Sequence, residues 1–174
     1  PMLQDIEDTN WILRPTVMAN LAAIAERGLR LDALILPHHL GVLAGVAADL
    51  PHLPIVINHC AKPVISGGGD AGDTWRDGMA LLAALPNTMC KISGLASEAG
   101  PGWNAESLLD VVAHVVKHFG ANRTMWGSDH LASVEPQGFI KLVKGIRDIE
   151  LSLGLGGPRI VMGGEKLKQE SLRK

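Results

Sequence analysis

Two short stretches of this chain stop an apolar run in residues able to do chemistry. One is 53–63 (LPIVINHCAKP), the other 124–130 (TMWGSDH). An imidazole at His59 and a carboxylate at Asp129, brought to one pocket, would suit the attack of water on a polarised carbonyl. The carboxylate acts as general base, and the imidazole, a cation or a metal steadies the oxyanion. Gly127 and Ser128 would release the backbone just before Asp129. Lys62, Ser93 and His130 stand near the same ends and are candidates for substrate contact. Blander readings exist for each: Asp129 can cap the following turn, His59 can be structural, and Lys62 can be a solvated loop residue. Lys91 lies inside a strand, facing either a barrel interior or the layer between sheet and helix, and the structural reading is favoured. His114 and His118 are four apart like a metal-binding pair, but no Glu follows His114 and a surface position is expected. Glu98 is a loop-edge candidate.

These residues need elements to hold them. Ile55 to Ile57 is short, β-branched and continuously apolar, as in a strand buried on both faces of a parallel sheet. In such folds chemistry sits at the C-terminal strand ends. Further strands are expected at 31–36, 88–93 and 123–127, and helices at 17–27, 38–50, 75–85, 105–119 and 135–153. Pro15 belongs in a first helical turn, while Gly28 and Gly120 are stops. The glycine-rich segment 64–73 (VISGGGDAGD) matches neither GxGxxG nor GxxxxGK[ST], so a mobile surface loop or lid is expected there.

Alternating strands and helices imply a parallel sheet with right-handed crossovers. Four or five consecutive βα units account for the chain. An open doubly wound sheet would fit 174 residues, whereas a whole (β/α)8 barrel needs about 250. With 47% hydrophobic residues, a net charge of −2 and no long basic run, neither disorder nor binding to nucleic acid or an anionic membrane is suggested. No membrane-length apolar run is present. Cys60 and Cys90 form no CxxC pattern, which fits a reducing cytoplasm.

The motifs, in order, are 1–6 (PMLQDI), 11–15 (WILRP), 28–37 (GLRLDALILP), 53–59, 61–63 (AKP), 90–95 (CKISGL) with Glu98, Phe119-Gly120, and 125–129 (MWGSD). This set resembles the amidohydrolase-related TIM-barrel hydrolases, and within them the branch of fuconolactonase-like sugar-lactone hydrolases. The resemblance implies an α/β fold built as the C-terminal half of a (β/α)8 barrel. Residues 1–153 would form the partial barrel, and 154–174 a divergent tail. It implies opening of a sugar-acid lactone or similar cyclic ester, with water activated by Asp129 and the carbonyl polarised by His59. One divalent metal, zinc, is the cofactor it suggests, with His59 and Asp129 as ligands. The family's His-x-His pair on the first strand is missing, and Asn58 stands where Asp is usual. His130 and Leu131 stand where Trp-Pro is usual. The expected partners are a small lactone or sugar acid, and either a second copy or a missing N-terminal half. The alternative is an inactive half-barrel that serves in binding or oligomerisation.

Overall fold

The structure, a computed structural model, describes residues 2–127. Four parallel strands form one sheet: β1 (Leu31–Ala33), β2 (Ile55–Ile57), β3 (Thr88–Ile92) and β4 (Thr124–Trp126). Their spatial order is β1-β2-β3-β4, the same as their order in the chain. A doubly wound sheet reverses direction at a switch point, so that alternative is overturned. Strands laid down consecutively by right-handed crossovers put every connecting helix on one face, as in one arc of a barrel. β1 is shorter than the 31–36 expected. Leu34 bridges instead to Met2, and Gln4 donates its N–H to the Leu34 carbonyl. The chain then enters a 3-10 turn at Pro37–His39.

The helices are α1 (Pro15–Glu26), α2 (Leu40–Asp49), α3 (Asp73–Ala83), α4 (Leu95–Ala99) and α5 (Ala105–Phe119). Pro15 opens α1, where its missing N–H costs nothing. The helix ends in a Schellman pair, Gly28 N–H to the Ala25 carbonyl and Leu29 N–H to the Ile24 carbonyl. At the start of α5, Asn104 accepts from the Ser107 N–H while Ser107 Oγ accepts from the Asn104 N–H. Only α4 was not expected: at five residues it is too short to show a period. Neighbouring helices pack tightly. A Cβ on Gly78 of α3 would stand 2.6 Å from the Leu40 Cβ of α2, so that crossing requires glycine.

Alternation sorts the sheet into two faces. Leu31, Ala33, Ile55, Ile57, Cys90 and Ile92 point to the helix layer and are buried. Between them, Asp32 and Lys91 take the opposite face and keep part of their surface open. At the N-terminal rim, long polar side chains close off helix ends. Asn87 donates to the carbonyls of Ala47, Leu50 and Leu53. Arg123 donates to those of Ala83, Leu85 and Thr88. The carbonyls of Ala47, Leu50, Ala83 and Leu85 lie at or just past the ends of α2 and α3, where a helix cannot satisfy them itself, and those of Leu53 and Thr88 lie in the turn and strand beyond. The helix expected at 135–153 and the tail 154–174 lie outside the described residues. Among the described residues, no helix is long and apolar enough to cross a membrane.

Candidate active site

Beyond Ile57 the backbone does something the sequence gives no hint of. His59, Cys60, Ala61 and Lys62 take φ values of 52°, 50°, 58° and 49°, four left-handed residues in a row. None is glycine. The turn closes with the Lys62 N–H on the His59 carbonyl, 2.8 Å. Left-handed backbone costs an L-residue about 1–2 kcal/mol, so the turn stores strain that its surroundings must offset. Burial does part of this: Cys60 and Ala61 are fully enclosed. Trp75 of α3, also fully enclosed, donates its indole N–H to the Cys60 carbonyl at 2.7 Å. The Cys60 thiol is directed at the Lys91 carbonyl. Burial pushes the thiol of Cys90 well above its ordinary range, with Cys60 beside it adding to the effect. The Cys90 thiol is therefore filling, not a nucleophile, and the Cys60 thiol is likewise sealed in the core.

The turn projects the side chains on either side of these two buried residues toward the end of β3. His59 Nδ1 and Ser93 Oγ are 2.7 Å apart. Ser93 is buried and immediately follows β3. The hydrogen-bond direction decides the chemistry. With Ser93 donating, Nε2 carries the proton and can donate to an oxyanion. With Ser93 accepting, Nε2 offers its lone pair. Asn58 Oδ1 accepts from Lys91 Nζ at 2.7 Å, and Asp32 of β1 reaches the same ammonium at 3.4 Å. Lys91 thus faces away from the helix layer, on the side of Ser93. At the rim, Lys62 Nζ lies 3.6 Å from Glu98 Oε1 of α4.

β4 joins this group through its last residue. Gly127 N–H still pairs with the Ile92 carbonyl, so the backbone is not yet released at Gly127. A Cβ there would come within 3.2 Å of Lys91 Cδ and Ser93 Cβ. Glycine lets β4 close onto the site just before Ser128. Asp129 and His130, expected as base and substrate contact, lie outside the described residues.

Of the sequence candidates, His59, Ser93 and Lys62 therefore gather at one end of β2 and β3, with Lys91 behind them. His114 does not belong to that end and is not at the surface as expected. It is half-buried between α3 and α5, with Nε2 on the Arg76 carbonyl at 3.0 Å and its ring against Trp75. Burial is the main cause that lowers its pKa. The segment 64–73 is tethered: Arg76 holds Asp70 of the loop and Asp110 of α5, and its guanidinium keeps the Asp70 carboxyl below its ordinary value. Sequence reasoning missed Asn58 as the partner of Lys91, and Trp75 as the prop of the turn. Their partners lie 33 and 15 residues away, so no local pattern marks them.

A zinc ion needs three or four converging ligands. Among the described residues no three His, Cys, Asp or Glu side chains converge. The described residues therefore do not by themselves fit the metal suggested by the sequence.

Known proteins resemble this chain in sequence and fold. An L-fucono-1,5-lactonase of Burkholderia ambifaria is 43% identical over 129 residues, 74% of this chain and 44% of that protein. A crystal structure of a Burkholderia multivorans amidohydrolase with bound zinc superposes with a TM-score of 0.77 at 25% identity, covering 87% of this chain and 56% of that one. A putative 2-pyrone-4,6-dicarboxylic acid hydrolase of Pseudomonas putida gives 0.64 at 25% identity, over 85% and 53%. The chain thus spans about half the length of the relatives it matches. The profile of the amidohydrolase family matches residues 4–140. The parallel sheet in sequential order, the polar cluster at its C-terminal rim and this match over most of the chain agree, and the chain belongs to the amidohydrolase family.

Proposed function

We propose that this chain supplies one side of a hydrolase site that opens a sugar-acid lactone or similar cyclic ester. The observation that carries this reading is the 2.7 Å contact of His59 with Ser93 at the ends of adjacent strands. With the Ser93 hydroxyl donating into Nδ1, His59 is held in the tautomer that presents Nε2–H to a carbonyl oxygen. Asp129, two residues past the close approach of Gly127 to Ser93, takes a proton from water as the water attacks the carbonyl carbon. The tetrahedral intermediate collapses with cleavage of the ring C–O bond. The proton held by Asp129 passes to the departing alkoxide oxygen, leaving a hydroxy acid. Ser93 acts through His59, and Lys62 and His130 contact the substrate.

The four strands among the described residues make half of a barrel, and in this reading a second copy or an N-terminal half completes the working unit. In this reading residues 1–153 are the catalytic unit and 154–174 an appended tail. Free thiols at Cys60 and Cys90 agree with a cytoplasmic location. The test is hydrolysis of sugar-acid lactones by the natural sequence, Asp129→Asn and His59→Ala. Both variants are expected to lose at least a hundredfold in kcat/KM. Equal turnover by all three proteins would remove these residues from the mechanism. Size-exclusion chromatography checks the assembly, and a stable lone copy with full turnover would refute it.

A further inference from the structure

We propose that Lys62 and Glu98 form a specificity pair that accepts neighbouring hydroxyls of a neutral, polyhydroxylated ring and turns away rings bearing two carboxylates. The inference rests on the lactone-opening reading of the same site and adds which cyclic esters it admits.

Position comes first. Lys62 ends the left-handed turn after β2, and Glu98 sits on α4 after β3. These strands are adjacent and parallel, so the pair stands at the same rim as His59 and Ser93. Each backbone is fixed, Lys62 by its N–H on the His59 carbonyl and Glu98 by its N–H on the Gly94 carbonyl. Both side chains are mostly sheltered, each 26% exposed.

The spacing matters next. At 3.6 Å the two groups attract but do not share a hydrogen bond. The ammonium keeps donors and the carboxylate keeps lone pairs that this contact leaves unused. A diol bridges such a gap: one hydroxyl donates to Glu98, and its neighbour accepts from Lys62. The pair is formally neutral, so a neutral polyol brings in no unbalanced charge. A dicarboxylate would set like charge against Glu98. Lys91 compensates little, because Asn58 and Asp32 engage two of its three donors and the Asp32 carboxylate offsets its charge.

The experiment is isothermal titration of the full chain with two rings it cannot hydrolyse. A hexono-1,5-lactam carries the hydroxyls, and pyridine-2,4-dicarboxylate carries the charges. The natural sequence is expected to prefer the lactam. Glu98→Gln and Lys62→Met should each weaken lactam binding about tenfold, the scale of a hydrogen bond to a charged group. Glu98→Gln should also tighten the dicarboxylate. The double variant should lose less than the product of the single losses, since the two act on one diol. Thermal melts of each variant establish that it is folded, and Glu98→Asp serves as a milder second variant. A natural sequence without lactam preference, or variants that leave the ratio unchanged, would overturn the proposal. Because neither probe reacts, a preserved lactam preference without lactone turnover would sink the hydrolytic reading alone.

Discussion

The two rims of the sheet handle their polar groups in opposite ways. At the N-terminal rim, Asn87 and Arg123 each spend their donors on three backbone carbonyls. At the C-terminal rim, four non-glycine residues hold left-handed backbone, and Lys62 and Glu98 stand just too far apart to saturate each other. One rim is closed upon itself; the other keeps strain and bonding capacity for something outside. Elsewhere among the described residues, every positive φ belongs to glycine. Retaining His, Cys, Ala and Lys where glycine would be cheaper implies that these side chains are needed there.

The largest effect that would separate the rims is expected from Arg123→Met. It removes a charged donor from three carbonyls, of which that of Leu85 keeps the Thr88 N–H and hydroxyl as donors, and should lower stability by about 3 kcal/mol, read by chemical denaturation, without altering the lactam-to-dicarboxylate preference. Asn87→Ala should follow at about 2 kcal/mol, again with no change in preference. Trp75→Phe keeps most of the ring volume but leaves the buried Cys60 carbonyl without its donor. Its cost should be about 1–2 kcal/mol, and unlike the first two it should weaken lactam binding because the turn loses its prop. Lys62→Gly should run the other way. Relief of about 1–2 kcal/mol of left-handed strain, less about 0.5–1 for the freedom glycine loses, leaves a gain of about 0.5–1 kcal/mol. The same change should abolish the ligand preference. A loss of stability in Lys62→Gly would mean that the turn is not strained.

The smallest effect concerns pH and the helix layer. His39, whose Nδ1 accepts from the Leu36 N–H, and His114 both have pKa values lowered from 6.5, chiefly by burial. Protons therefore bind the unfolded chain more readily than the folded one. Stability should be fully present above pH 6.5 and fall as the solution is acidified below it. Melts from pH 7.5 to 5 check this, and His114→Phe should flatten part of the slope.

What the sequence made legible follows physical range. Strands and long helices announced themselves through period and caps, and the apolar run 55–57 placed His59 at a strand end correctly. Lys62 followed from adjacency to that end, and Ser93 from its place at the loop edge after the 88–93 strand. The left-handed turn was invisible because its residues carry no glycine or asparagine signal at 59–62. Arg123 and Asn87 read only as element boundaries, since their partners lie 34 to 40 residues away. His114 looked solvent-facing because helical spacing alone does not reveal a neighbouring helix. Lys91 could be assigned a face only once the strand register was known.

Behind the turn, the two cysteine sulfurs are sealed from solvent. An alkylating reagent can reach them only when the rim lifts. Labelling of the folded protein thus becomes a clock for unlatching. Capture faster than global unfolding would show that the C-terminal edge of the sheet breathes on its own, as a local opening with a lower free energy than the rest of the fold. If capture and unfolding keep the same pace, the edge and the helix layer rise and fall together.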